Sequence, residues 1–341
     1  MSATEPHPHT IIIAEAGVNH NGSMDLAVQL IHAAAEAGAD YVKFQTFKSE
    51  RIVAASAPKA EYQQANAPSE GNTQLEMLRA LELTPAQFAK LKAECDRMNI
   101  GFISTPFDFQ SIEVLLPLGM DFWKIPSGEI TNLPYLRRIA GIGQPIVMST
   151  GMCEEHEVEQ AVNVLCDNGV TRDMITLLHC NTQYPTPMAD VNLRAMQWLR
   201  TLNCAAVGYS DHTQGIEIPI AAVAAGAQVI EKHFTLDRTL PGPDHKASLE
   251  PGELRAMIRA IRNVEMAMGD ARKSVSDSER QNIMVARRSI VASRHIAAGE
   301  IFSEENLTVK RPGSGISPMM WDHVIGTKAS RDFSPDDLIT L

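Results

Sequence analysis

The chain has 341 residues, 44% of them apolar, enough to bury the core of one large domain with a small one beside it. Its formal net charge of −11 argues against nucleic acid as a partner, so any anionic ligand must be held by a local cluster of Lys, Arg and backbone N–H groups rather than by the overall field. Five cysteines without a CxxC pair point to a reduced, cytoplasmic protein, and the opening "MSATEPHPHT" lacks the basic start and apolar run of a signal peptide.

Short β-rich runs alternate with helical patterns along the chain. The predicted strands, in order, are 10–17, 40–46, 101–107, 122–129, 145–151, 175–181, 205–211 and 228–235. Between them lie helical segments. These include "MDLAVQLIHAAAEAG", "TPAQFAKLKAECDRMNI" with Thr84 as N-cap and Pro85 in the first turn, and "EEHEVEQAVNVLCDNG" closed by Asn168 and Gly169. The most apolar stretch, "IPIAAVAAGAQVI", is too short to span a bilayer and is broken by Pro219, Gly226 and Gln228, so no membrane association is expected. Segment 48–74 is too long for an ordinary strand-to-helix connection and reads as an active-site loop. A last helix, "EPGELRAMIRAIRNVEMAMG", carries Leu254, Met257, Ile258 and Ile261 on one face and stops at Gly269.

Eight strand-helix units in about 250 residues predict an α/β fold of the (β/α)8 TIM-barrel type. A doubly wound open sheet is the alternative, but no G-x-G-x-x-G follows the first strand. The composition changes after Gly269, which divides the chain into a barrel domain at 1–269, a polar linker at 270–284 and a small β-rich domain at 285–341. In that last domain "IFSEENL" and "DFSPDDL" echo each other, each Ser followed by acids as in an N-cap, so one-turn helices are expected there.

Active sites of such barrels lie at the carboxyl ends of the strands, and here every predicted strand ends in polar residues. In chain order these are Glu15; Lys43 and Gln45; Ser104 and Thr105; Lys124, Ser127 and Glu129; Ser149 and Thr150; His179 and Asn181; Ser210, Asp211 and His212; and His233. Taken singly, a terminal Ser or Thr caps a turn and a Lys reaches for water. Convergence of all eight on one mouth argues for a ligand site.

The eighth strand, "VIEKHFT", places three ionisable residues in a buried run. Alternation turns Glu231 and His233 toward the barrel interior and Lys232 outward, where it needs an acid on a covering helix. His212 and His233, on neighbouring strand ends, are either a divalent-metal pair suited to Mn, Fe, Co or Zn, or two structural histidines bonded to backbone carbonyls. Lys43 and Lys124 with Ser127, Ser149 and Ser210 form an anion pocket for a phosphate plus a carboxylate. Glu15 and Glu129 supply carboxylates for proton transfer.

The stretches "AEAGVNHNG", "VKFQTF", "ISTPFD", "KIPSGEITNLPYL", "STGM", "HCNTQYPTP", "GYSDHT", "EKHFTLD", "GPDHKASLEP" and "VKRPGSGISP", in this order, resemble the sialic acid synthase family. Such a resemblance implies a TIM barrel followed by an antifreeze-like SAF domain. It also implies a domain-swapped homodimer and condensation of phosphoenolpyruvate with an N-acetylated amino sugar of the mannose type and water, releasing phosphate by C–O cleavage. Carried onto this chain, it makes His212 and His233 ligands of Mn. Lys43, Thr105, Lys124, Ser127, Ser149, Asn181 and Ser210 become phosphoenolpyruvate contacts, with Thr182 the alternative to Asn181. Gln45, Asn72, Tyr184, Asp244 and Arg311 fall on the sugar side, and Glu15 and Glu129 are the catalytic carboxylates. The wording fits both the N-acetylneuraminate and the N,N'-diacetyllegionaminate branches. Two other readings use the same residues: a pyruvate-dependent metal aldolase, and a sugar-binding protein without catalysis.

Overall fold

The computed structural model describes residues 9–54, 57–58 and 73–341. By its internal contacts the chain falls into two compact units, Met1–Gly269 and Asp270–Leu341.

The first unit is a parallel eight-stranded barrel. Its strands are β1 (Ile11–Gly17), β2 (Tyr41–Thr46), β3 (Gly101–Pro106), β4 (Trp123–Ile125), β5 (Ile146–Ser149), β6 (Ile175–Cys180), β7 (Ala206–Asp211) and β8 (Val229–His233). Hydrogen bonding runs β3-β2-β1-β8-β7-β6-β5-β4, so the first strand pairs directly with the last. An open doubly wound sheet does not bring those two together in this way, and the barrel is the architecture present.

Local chemistry explains the elements. Thr84 caps helix Pro85–Met98 in a capping box with Gln87, with Pro85 in the first turn. Helix Pro251–Met268 buries Leu254, Met257, Ile258 and Ile261, the four residues of its apolar stripe. The fourth strand is shorter than its sequence suggests. Pro126 follows Ile125, and Ser127–Glu129 form a single 3-10 turn that lifts Ser127 and Glu129 off the ladder toward the mouth. Of the expected active-site loop, 55–56 and 59–72, Asn72 included, lie outside the described residues. Among the described residues no helix is long and apolar enough to cross a membrane.

The second unit contains helix Asp277–Ala286 and an antiparallel pair, β9 (Ser289–Ala292) with β10 (Leu307–Lys310). The helix occupies part of the stretch read as a linker. Ser276 and Glu279 make a capping box there, a start signal that the high polarity of the segment masks. Where one-turn helices were expected, the echoing segments form turns: Asn306 Oδ1 accepts from the Ser303 N–H and Asp337 Oδ2 from the Ser334 N–H. Each turn delivers its phenylalanine inward, and Phe302 and Phe333 meet edge to face at 5.7 Å between ring centroids.

Candidate active site

At the barrel's carboxyl end, parallel register sets the first layer of side chains. Glu15 pairs in register with Lys43 on one side and His233 on the other, and Ser210 with Glu231. Alternation turns this set toward the barrel axis, where Glu15, Lys43, Lys124, Ser149, Ser210, Glu231 and His233 are all buried.

Two ammonium groups and two carboxylates interlock in this layer. Lys43 Nζ lies 2.9 Å from Glu15 Oε2 and 3.7 Å from Glu231 Oε2, and donates to Thr105 Oγ1 at 3.1 Å. Lys124 Nζ donates to Ser149 Oγ at 2.6 Å and lies 3.9 Å from Glu231 Oε2. Ser210 Oγ donates to the other Glu231 oxygen at 3.0 Å, and Gln45 Nε2 to Glu15 Oε1 at 3.1 Å.

Burial acts on each charge, and neighbours decide how far. It raises the Glu15 carboxyl, with the Lys43 ammonium pulling it back. It opposes ionisation of Glu231, yet Lys124 and then Lys43 hold that carboxyl below its usual range. Burial lowers Lys124, whereas for Lys43 the carboxylates of Glu15 and Glu231 outweigh burial and raise it.

Ser127 and Glu129 frame the other wall. The Gly151 N–H donates to Ser127 Oγ at 2.9 Å, and a Cβ at Gly151 would come within 2.7 Å of Thr182 Cγ2 and 2.9 Å of Cys180 Sγ, so only glycine lets the fifth and sixth strand ends close on Ser127. Glu129 is half-buried and accepts from Asn132 Nδ2 at 2.6 Å; burial raises its carboxyl.

The histidines stand together, with His212 and His233 ring centroids 5.2 Å apart and edge to face. His212 Nδ1 faces the Asn181 carbonyl oxygen, which fixes the proton on Nδ1 and leaves Nε2 with a free lone pair. His233 Nδ1 is buried with no hydrogen-bond partner and lies 3.9 Å from Asp244 Oδ2. Burial pushes His212 down to about 4 and His233 well below the usual imidazole range, so both rings are neutral, the ligating form. A backbone-bonded structural role therefore accounts for one nitrogen of His212 and for none of His233. Among the described residues no three or more His, Cys, Asp or Glu side chains group to hold a metal, so an ion on this pair would complete its shell with oxygen from water and substrate.

Tyr184 stacks on His212 at 4.0 Å and meets the His233 edge at 5.4 Å. Asp244 is buried and pushed up to about 7 by burial, with Glu15 adding to the rise. Asn181 Oδ1 accepts from the Gln183 N–H at 2.8 Å, so its side chain serves its own loop. Arg311 belongs to the second unit, where its Nε donates to the Ala286 carbonyl at 3.1 Å.

Two features differ from the sequence reading. Glu231 belongs to the site, between the lysines; its inward alternation was the available signal. Lys232 does not pair with a covering helix: its ammonium lies 2.6 Å from Asp211 Oδ2 on β7.

The NeuB family model matches residues 30–273 and the SAF domain model residues 287–341. The chain is 52% identical to the N,N'-diacetyllegionaminic acid synthase of Campylobacter jejuni, over 97% of this chain and 98% of that one. It is 36% identical to human N-acetylneuraminate-9-phosphate synthase, over 98% and 92%. Among solved structures, the N-acetylneuraminic acid synthetase of Leptospira borgpetersenii in complex with citrate aligns with a TM-score of 0.71 at 35% identity, covering 81% of this chain and 90% of that one.

Proposed function

The chain belongs to the NeuB family, and on that premise we propose that it is a nonulosonic acid synthase, condensing phosphoenolpyruvate with an open-chain N-acetylated mannose-type sugar and water and releasing phosphate. The observation that carries this reading is the buried pair Lys43 and Lys124, fenced by strand-end hydroxyls beside two neutral histidines. The acceptor is 2,4-diacetamido-2,4,6-trideoxymannose rather than N-acetylmannosamine. Support comes from 52% identity to a diacetyllegionaminic acid synthase against 36% to an N-acetylneuraminate-9-phosphate synthase.

Lys43 and Lys124, with Thr105, Ser127, Ser149 and Ser210, hold the phosphate and carboxylate of phosphoenolpyruvate by charge-assisted hydrogen bonds. His212 and His233 would hold a divalent ion, Mn in this assignment, which when bound supplies Lewis acidity toward the sugar aldehyde. The C3 carbon bonds to the aldehyde carbon, whose oxygen takes a proton from Glu129, a carboxyl that burial keeps protonated to higher pH. Water then adds to C2 and loses its proton to Glu15, whose raised carboxyl is a stronger base than an exposed one. The C2 hydroxyl of the tetrahedral intermediate then gives its proton to the departing phosphate as the C–O bond breaks, leaving the C2 ketone. Gln45, Tyr184 and Asp244 orient the sugar, with Asn72 assigned beside them.

With phosphoenolpyruvate carrying 18O at the bridging position, the label is expected in the released phosphate. Label retained in the sugar acid would overturn this function. A pyruvate-dependent aldolase would release no phosphate.

The assignment extends to a cytoplasmic homodimer in which Arg311 of one chain binds the acceptor sugar held by the other. The free cysteines fit a reducing compartment, and the trans arrangement rests on the family resemblance. Mixing inactive Arg311→Ala and Glu129→Ala proteins is expected to restore activity once subunits exchange, because one mouth of the heterodimer keeps both groups. No recovery despite demonstrated exchange would place Arg311 outside the partner's site.

A further inference from the structure

Lys232 is the residue that this chemistry leaves unused. Its side chain is fully buried on the outer face of β8, paired with an equally buried Asp211 on β7. The pair joins two residues that are opposite each other in the ladder, and the β7–β8 register ends at that position, Asp211 against Lys232.

Both histidines stand one residue past this last paired position. Main-chain pairing between their strands therefore does not fix them relative to each other. Side chains take over there. Lys232 Nζ donates to Asp211 Oδ2 and to the Thr213 carbonyl oxygen, so one ammonium grips the residues on both sides of His212. Asp211 in turn accepts from the Thr213 N–H at 3.0 Å and from its hydroxyl at 3.1 Å, which bends the chain around His212. The Thr186 N–H bonds the His212 carbonyl at 2.9 Å, and the Asn181 carbonyl bonds its ring. Those two contacts tie His212 to the loop after β6. Toward β8 the hydrogen bonds at this level, among the described residues, come from Lys232, whose own backbone leads straight into His233, and Tyr184 adds a ring contact to both histidines.

A buried ion pair is a poor source of net stability, since desolvating two charges consumes most of the Coulombic gain, and well-packed apolar residues in its place are often as stable or more so. What the pair supplies is register, with directional bonds that an apolar pair lacks.

We propose that Lys232, through Asp211 and Thr213, is a positioning residue that sets the separation and orientation of the His212–His233 pair for a divalent cation. The inference rests on the assignment of that pair as a metal site. Supporting the metal assignment, His233 Nδ1 is buried without a partner and Nε2 of His212 is left free by the tautomer that its backbone bond imposes.

The test uses the full-length protein and Mn2+ alone, by isothermal titration and by the Mn2+ EPR signal, without substrate. Lys232→Met/Asp211→Leu removes both charges together, so neither is left buried and unpaired, while the Thr213 N–H, hydroxyl and carbonyl lose their partners; it is expected to keep the wild-type circular dichroism with a lowered melting temperature. Its Mn2+ affinity is expected to fall at least tenfold. At saturating Mn2+ the KM for phosphoenolpyruvate is expected to stay at the wild-type value, because Lys43 and Lys124 are untouched. Wild-type Mn2+ affinity in the double variant would overturn the role of Lys232 while leaving the metal site standing. Wild-type affinity in His212→Ala/His233→Ala would overturn the metal assignment and this inference with it. If the first double variant does not fold, Lys232→Gln, which is too short to hold Asp211 and the Thr213 carbonyl together, is expected to weaken Mn2+ at least threefold, and wild-type affinity there would equally overturn the proposal.

Discussion

Lys124→Ala is expected to lower kcat/KM for phosphoenolpyruvate by about a hundredfold or more, mostly through KM. Lys124 stands on a strand three residues long, its ammonium fixed by Ser149 Oγ at 2.6 Å and by the Ile125 carbonyl at 3.2 Å, so it reaches the pocket already oriented. Each charge-assisted hydrogen bond it gives an anion is worth about 1.5–3 kcal/mol, and two of them account for the hundredfold loss. A substitution that merely loosened the fold would not single out one substrate. Unchanged KM for phosphoenolpyruvate would mean that the anion binds elsewhere. Burial lowers Lys124, so its charge is lost as pH rises through a value below the ordinary lysine range. The KM for phosphoenolpyruvate is therefore expected to climb on the alkaline side, at lower pH than for an exposed lysine.

Glu15→Gln is expected to lower kcat by roughly 10²–10⁴-fold, the range for losing a general base. The amide keeps the shape and can still accept from Gln45, as Glu15 Oε1 does at 3.1 Å, but it cannot take a proton from water. The KM for phosphoenolpyruvate is expected to stay level or fall, because Lys43 loses the carboxylate 2.9 Å away and is freer to serve the anion. A kcat within tenfold of wild type would move water activation to Glu129. Since burial raises the Glu15 carboxyl, the ionised base is lost as pH falls through a value above the ordinary carboxylate range. The acid limb of the kcat profile is expected there, and Glu15→Gln should abolish it.

Much of this site is legible in the sequence because the barrel converts a local rule into a location. Alternation in a strand says which residues face inward, and a parallel eightfold arrangement brings every strand end to one mouth. Glu15, Lys43, Lys124, Ser149, Ser210 and His233 could therefore be gathered from strands more than two hundred residues apart, and the structure brings them into one buried layer. Caps such as Thr84 and stripes such as Leu254, Met257, Ile258 and Ile261 were equally readable, since each signal lies within one or two turns of chain.

The tertiary structure alone decided which partner each buried charge would have. Lys232 was readable as outward-facing, but the acid that bonds it is set by the β7–β8 register, which puts Asp211 opposite, while Glu253 and Glu217 of the covering helices act on it only through longer-range charge. Glu231 was readable as inward-facing, yet its place between Lys43 and Lys124 depends on how far three strands slide past one another. Asn181 carries the right chemistry for a ligand, and its own loop takes up that side chain while its carbonyl sets the His212 tautomer. Alternation is a property of one strand; register and pairing distance are properties of several, and in a low-dielectric interior a few tenths of an ångström between strands decide which charge compensates which.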